Sequence, residues 1–311
     1  MKNKLKGYTY INVVLVISII IVILFFMLED SFSLINTYKN EEDLIQGSYF
    51  GESILNIAMS KDNEEYINKN LEDLYFNKKN KIILDLDENY LENVEYKLEL
   101  QKANIFTEND FIIRAISNYK SIESITTLKG SLINKVYLEE IGILNSSTVP
   151  RDELEKLQED YSLLSKESNF KNIINLKEDT YYIKKGKRDN IIYTLSENDE
   201  ENIICSFKWQ DYVLINQDAG DFVVLDNIKI NGIVNVNNII LLEDLKVEGL
   251  LNLNQDIITE ENNLMVNGIL VNLQDFSENN IVVNYNFLNI DIISEYIPRF
   301  IKPSVQCIIK D

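Results

Sequence analysis

Acidic side chains are the most plentiful groups capable of chemistry in this chain, and histidine is missing. Asp and Glu number 50 against 30 Lys and Arg, with no His. Zinc sites with His ligands and His-based triads are therefore excluded. Asp85 and Asp87 alternate on one extended segment, and carboxylate pairs catalyse glycoside hydrolysis. Such a strand face is usually solvated, and no phosphate loop, Gly-x-Ser-x-Gly or calcium loop accompanies it, so we predict no enzyme, no metal and no cofactor.

The two cysteines, Cys205 and Cys307, lie in the last third of the chain. A disulfide between them fits an oxidising compartment outside the membrane. Each also stands among apolar residues, as a buried unpaired cysteine does. The sequence leaves both interpretations open.

The charge balance bears on partners. The formal net charge is −20, which argues against binding nucleic acid or an anionic membrane surface through a general field. The densest basic stretch outside the N-terminus runs from Lys184 to Arg188 and is typical of a solvated turn. We therefore predict no nucleic-acid partner and an exposed, extracellular surface.

An uncharged apolar segment of 21 residues, Tyr8 to Leu28, follows the short leader MKNKLKG. As a helix it spans about 32 Å, enough for a hydrocarbon core of about 30 Å. Three lysines precede it and Glu29 follows it, which predicts a single-pass protein with a cytoplasmic N-terminus. A signal peptide has a shorter apolar region of about 7–15 residues. A plain membrane anchor explains the length and charge equally well.

The residues around Gly7 resemble the processing site of type IV prepilins. The order Lys6-Gly7-Tyr8-Thr9-Tyr10-Ile11 matches Gly, an aromatic residue, Thr, an apolar residue and Ile or Leu. The resemblance implies that a prepilin peptidase cuts between Gly7 and Tyr8 and that the new N-terminus of Tyr8 is methylated. The apolar segment then stays in the mature chain. Its implied partners are the peptidase, the inner (cytoplasmic) membrane and other pilin subunits.

One position departs from the family pattern. Major pilins carry Glu at the fifth mature residue, which here is Asn12. A carboxylate inside a bilayer costs about 2.5–3.5 kcal/mol and is tolerated when it has a partner, in the family the terminal amine of a neighbouring subunit. Tip-type minor pilins also lack this Glu. Asn12 is thus either a polar residue near the membrane edge with no special role, or the mark of a minor pilin at a fibre tip.

The residues after the apolar segment predict an α+β head. Residues 29–60 contain no Pro and have helical apolar spacing, so the helix continues as a stem. A second helix is expected from Asp62, as its cap, to Tyr75. Strands are expected at 94–100, 111–117 and 128–138, because apolar residues alternate along the first of them. An antiparallel sheet on the outer half of a long N-terminal helix resembles the pilin head, and the resemblance covers about residues 8–140.

The C-terminal third contains a repeat. Residues 228–236 recur as 245–253 and 264–270, with Gly232, Gly249 and Gly268 spaced by 17 and 19 residues. A period near 18 with two short strands per turn predicts a small β-solenoid, and an antiparallel meander is the alternative. Residues 143–203, with an amphipathic helix from Arg151 to Ser168, are interpreted as a connector.

These segments predict a leader (1–7), a transmembrane helix (8–28), a stem and pilin-like head (29–142), a connector (143–203) and a β-repeat domain (204–311). The predicted function is a minor type IV pilin-like subunit of a pilus or pseudopilus, held in the membrane before assembly and displaying a β-rich distal domain at the cell surface. The alternative is a single-pass surface protein for binding or adhesion that does not polymerise.

Overall fold

The structure is a computed structural model and describes residues 2–86, 95–103, 109–167, 170–177, 179–259, 261–272 and 280–310. Its helices are α1 (Lys2–Ala58), α2 (Glu64–Phe76), α3 (Arg151–Glu167) and α4 (Phe287–Ile293). Its strands are β1 (Lys81–Leu84), β2 (Glu95–Lys102), β3 (Asp110–Tyr119), β4 (Ile122–Ile133), β5 (Ile143–Leu144), β6 (Ile173–Leu176), β7 (Tyr181–Lys185), β8 (Asp189–Leu195), β9 (Glu201–Lys208), β10 (Tyr212–Gln217), β11 (Asp221–Val224), β12 (Ile228–Val236), β13 (Asn238–Leu241), β14 (Leu245–Leu253), β15 (Ile257–Thr259), β16 (Leu264–Asn272), β17 (Ile281–Asn284) and β18 (Ile301–Lys310).

The chain forms two compact units. Unit one contains Met1–Ser131 and Val305–Asp311, and unit two contains Leu132–Ser304. This division differs from the boundaries placed at 142 and 203 from sequence. The last residues join unit one because β18 lies beside β4 in its sheet, and the residues interpreted as a connector belong to unit two.

Unit one is a helix-on-sheet structure. The sheet has the order β1-β2-β3-β4-β18, with antiparallel pairing from β1 to β4. The C-terminal part of α1 contacts β3, and α2 contacts β1. The helices and the sheet share an apolar core of fully or almost fully buried side chains: Ile54, Leu55, Ala58, Ile67, Leu71, Leu74, Leu98, Leu100, Ile113, Ala115 and Leu128. The predicted long N-terminal helix and antiparallel sheet are therefore confirmed.

Two local predictions in this unit differ from the structure. The second helix begins at Glu64, and Asp62 lies in a preceding 3-10 turn, Lys61–Asn63, so it is not the cap. The strand expected at 128–138 is β4, which starts earlier and ends at Ile133. Its start was missed because β3 and β4 are joined by Lys120 and Ser121, both at positive φ, where glycine or asparagine is the usual signal.

Unit two contains a β-solenoid made of two sheets, in which the three sequence repeats form about three turns. One has the order β17-β16-β14-β12-β10-β6, with β5 also paired to β16, and the other the order β15-β13-β11-β7-β8-β9. Successive turns add one strand to each sheet, and the pairs β12–β14 and β14–β16 are parallel. Parallel pairing rules out the antiparallel meander. Two further turns precede the three sequence repeats. Strands β6 and β10 extend the first sheet, and β7 and β11 extend the second, all by parallel pairing.

The three repeat glycines form one column in the solenoid. Gly232 lies opposite Gly249, and Gly249 opposite Gly268. All three have positive φ, and a Cβ built on Gly249 would lie 2.1 Å from the carbonyl oxygen of Gly232. Any side chain would collide with the backbone of the preceding turn, so the repeat requires glycine here.

A second column runs through the buried side of the same strands and consists of asparagines. Asn216, Asn235 and Asn252 are directly opposite one another and at most 2% exposed. The Asn252 amide donates to Asn235 Oδ1 at 2.7 Å, and the Asn235 amide donates to Asn216 Oδ1 and to the Tyr161 carbonyl of α3 at 3.0 Å. These bonds give the buried amide groups of Asn235 and Asn252 acceptors for their hydrogens, and they tie α3 to the stack.

We expect Asn235→Ala to lower the free energy of unfolding by about 1–3 kcal/mol, because it removes the buried hydrogen bonds to Asn252 and to the Tyr161 carbonyl and leaves a cavity between them. Asn175 stands in the same column opposite Asn216, but it is exposed, so Asn175→Ala is the matched control and should change stability by about 0.5 kcal/mol or less. Urea titration of the full chain in detergent, followed by circular dichroism, measures both. Equal effects of the two substitutions would contradict a stabilising role for this asparagine column.

Candidate functional site

The feature of this chain that demands a partner is the exposed apolar surface of α1. From Tyr10 to Leu28 the apolar side chains are 45–72% exposed. By length and composition this helix can cross a membrane, and it is the only such helix among the described residues. Because exposed apolar surface of this extent is unfavourable in water, lipid or protein must cover it.

The predicted processing residues lie at the N-terminal end of α1. Gly7 and Tyr8 have helical backbone, and Asn12 follows about one turn later with an exposed side chain. Met1 lies outside the described residues. A protease that binds its substrate in extended form would have to unwind the first turns. Gly7 makes this easier, since glycine in a helix is about 1 kcal/mol less favourable than alanine.

Beyond the apolar segment, α1 has two contrasting sides. Gly47, Gly51 and Ile54 are buried, on the side that faces the sheet. Tyr38 and Ile45 lie about 180° away around the helix, at 100° per residue. With Tyr49, at 57–68% exposure, they form an apolar strip that we call the outer stripe of α1. Among the described residues the sheet covers one side of this helix, whereas on the other side Lys310 lies over the Tyr49 ring and leaves Tyr49 mostly exposed.

The contact of α1 with the sheet is close and polar at the end nearer the apolar segment. A Cβ on Gly47 would lie 2.6 Å from Ser124 Oγ, and one on Gly51 would lie 2.5 Å from Thr126 Oγ1. The Ser117 hydroxyl donates to the Gly47 carbonyl at 2.9 Å and shares a hydrogen bond with Ser124 at 2.8 Å. The glycines let the helix backbone reach within hydrogen-bond distance of the sheet's hydroxyls.

Further polar bonds extend this junction along α1. Thr126 Oγ1 donates to the Ser48 carbonyl at 3.2 Å. At the end of the β3–β4 hairpin, Lys120 Nζ donates to Asp43 Oδ1 at 2.8 Å, and Asp43 is only 8% exposed. This hydrogen bond to Asp43 raises the pKa of Lys120, which also lies over the Tyr119 ring. We call these contacts the polar junction of unit one.

The sequence shows one half of this junction. Gly47 and Gly51 are small residues within the predicted stem helix, where glycine disfavours the helix by about 1 kcal/mol but permits close packing. Their partners Ser117, Ser124 and Thr126 were missed, because a hydroxyl on an alternating strand ordinarily marks the solvated face. Only Ser117 lies in a predicted strand, because Ser124 and Thr126 belong to the part of β4 that precedes the strand expected at 128–138.

The two cysteines are both free thiols. Cys205 lies in β9 of unit two and is partly buried, which raises the pKa of its thiol. Cys307 lies exposed in β18, in unit one. The structure thus does not join the pair whose bonding the sequence left open.

Other groups capable of chemistry are dispersed. Among the described residues no three Cys, Asp or Glu side chains cluster so as to hold a metal ion. Asp85 is exposed and its backbone amide donates to the Tyr66 hydroxyl, while Asp87 lies outside the described residues. A cleft of about 350 Å³ in unit two is lined by both polar and aromatic residues: Phe170, Lys171, Asn172, Gln210, Asp211, Tyr212, Ile292, Ile293 and Tyr296.

The polar junction can be tested by adding one methyl group. Helix propensity alone predicts that Gly51→Ala stabilises α1 by about 1 kcal/mol. We expect the opposite, a loss of about 1–3 kcal/mol, because the new methyl group overlaps Thr126. Hydrogen–deuterium exchange of β3 and β4 in the full chain reports the change. Ser53→Ala, on an exposed position of the same helix, is the control, and similar results for both substitutions would refute the close contact.

No family model, curated protein or solved structure matches this chain. What the molecule itself shows is an N-terminal apolar helix long enough to span a membrane, joined to a β-rich body. That combination fits a membrane-anchored protein and is compatible with a pilin-like architecture.

Proposed function

We propose that this chain is a minor type IV pilin-like subunit. A prepilin peptidase cuts it after Gly7, the amine of Tyr8 becomes methylated, and Tyr8–Leu28 holds it in the cytoplasmic membrane until it enters a pilus or pseudopilus. The N-terminus faces the cytoplasm and both units lie outside. The function is assembly and display, without catalysis, a cofactor or a nucleic-acid partner.

The observation that carries the proposal is the continuity of α1 through two surroundings. The helix runs unbroken from Lys2 to Ala58, with an exposed apolar segment first and a sheet-bound segment last. A simple anchor needs an apolar segment only as long as the bilayer is thick. Here apolar exposure continues into the outer stripe, at Tyr38, Ile45 and Tyr49. A helix of a neighbouring subunit would cover both parts.

A second candidate function is a permanently anchored surface protein that never polymerises, and Asn12 is compatible with it. In a helix that assembles by the family's ion pair, this position supplies the carboxylate, and an asparagine cannot. A minor subunit at a fibre tip has no subunit ahead of it and needs no such pair. Asn12 therefore fits both candidates, and processing and assembly have to be measured separately.

Processing is tested by co-expressing the full chain with a prepilin peptidase and determining its N-terminus by mass spectrometry. We expect loss of residues 1–7 and a methylated Tyr8. Gly7→Leu should block cleavage, because the residue directly before the cleaved bond has to be small. A chain with Asn3→Leu should be cleaved normally. An intact Met1 in cells that process a control pilin would contradict the proposal.

Assembly is tested by placing a charge on the outer stripe. Ile45→Asp should reduce the chain's recovery in sheared fibres about tenfold or more, because the carboxylate would be buried unpaired between helices. Asn40→Asp adds the same charge about 200° around the helix from Tyr38 and is the matched control. Quantitative immunoblots of fibre and membrane fractions give the ratio. A fully processed chain that never leaves the membrane fraction would favour the permanently anchored protein.

A further inference from the structure

The β9 strand is an unprotected edge of unit two. It contains eight residues, Glu201–Lys208, and pairs with β8 on one side. No described strand pairs with its other side. Ile203 and Ile204 are 59% and 46% exposed. An exposed edge with apolar side chains is a template on which another strand can pair.

The other edge strands of the three sheets have features that limit pairing. The strands β1, β6 and β17 contain four residues each, and β15 contains three. The ten-residue edge β18 contains Pro303, which lacks an amide hydrogen, and two lysines. None of these features protects the middle of β9.

The irregularity in β9 does not protect it either. Ile192 pairs with Cys205 and Tyr193 with Ile203, so Ile204 is the extra residue of a bulge. Bulges usually turn an edge away from partners. Here the extra residue is itself an exposed isoleucine, and its apolar side chain adds to the surface that water must hydrate.

The charges at the two ends of β9 indicate what pairs with it. Glu201 and Lys208 are equally far from the midpoint between Ile204 and Cys205. Two copies of β9 arranged antiparallel about that midpoint would place each Glu201 opposite the other copy's Lys208. A parallel arrangement would place like charges opposite each other, which is unfavourable.

Both end groups are accessible for such a contact. Lys208 is exposed and forms no ion pair with any described residue, while Glu201 is 44% exposed and is bound in its own chain by Lys184. The two contacts related by the twofold axis would each extend the Lys184–Glu201 pair into a three-group network. Opposite charges directly across an antiparallel pair are stabilising.

We propose that β9 is a self-association strand through which two copies of this chain join, antiparallel and twofold symmetric. The sheet with the order β15-β13-β11-β7-β8-β9 then continues from one copy into the other. Such an interface is isologous: the same patch serves both copies, so it closes as a dimer. This proposal does not depend on processing after Gly7 or on fibre assembly.

The test measures the dimer dissociation constant of the full chain in excess detergent by analytical ultracentrifugation. Ile204→Lys should raise this constant about tenfold or more, because a charge would be buried at the dimer centre. Ile83→Lys makes the same change at an exposed isoleucine of the edge strand β1 and should leave the constant unchanged.

A charge exchange separates specific pairing from misfolding. Lys208→Glu places two glutamates opposite each other at both ends and should raise the dissociation constant about tenfold. Exchanging all three charges of the network, with Lys184→Glu and Glu201→Lys added to Lys208→Glu, restores opposite charges and should bring the constant back to within about threefold of the unmodified chain. A monomeric unmodified chain, or association that no β9 substitution alters and that α1 therefore mediates, would overturn the proposal.

Discussion

The structure of unit one depends on the surroundings of a single helix of 57 residues, which change along its length. Its buried end lies on a sheet, where apolar side chains such as Leu55 and Leu100 supply the usual hydrophobic stabilisation. Just before this end, at Gly47 and Gly51, the helix backbone approaches the sheet so closely that only glycines and small hydroxyl side chains fit between them. Its first part is not covered by any other described residues. Each change of surroundings coincides with a change of residue type, as expected if the environment selects the side chains.

The solenoid of unit two also uses glycines and small polar residues, there to let successive turns stack closely. Each turn exposes the backbone of its strands until the next turn pairs with it, so stability accumulates along the stack. Where the chain bends toward the preceding turn, only glycine fits, and Gly232, Gly249 and Gly268 mark that column. Where an amide must be buried, asparagines bond to asparagines of adjacent turns. Both columns reuse one local solution at every turn, which is why the repeat is visible in the sequence.

Sequence predicted best where a constraint repeats or where a segment is long. The apolar segment of α1 and the three glycine repeats follow from composition and period, and the structure confirms both elements. The turns formed by β6–β7 and β10–β11 were missed because Val213 occupies the glycine position of its turn and the hairpin of β8 and β9 interrupts the period. The hydroxyl partners in the polar junction were not predicted, because Ser117 is 70 residues away from Gly47 in sequence and only the fold brings the two together. Long-range pairs of small polar residues leave no local pattern.

The net charge of −20 limits every association of this chain with its own kind. Two such molecules repel each other over distances comparable to the Debye length, about 8 Å at physiological ionic strength. Contact therefore requires short-range features that overcome the repulsion locally: apolar residues on the outer stripe of α1, and exposed isoleucines flanked by one acidic and one basic residue on β9. Acidic residues stand beside both features: Glu41 and Glu42 next to the outer stripe, and Glu200 next to Glu201 at the start of β9. Two copies can therefore meet only where apolar contact outweighs this repulsion, and repulsion between the remaining acidic surfaces disfavours every other orientation.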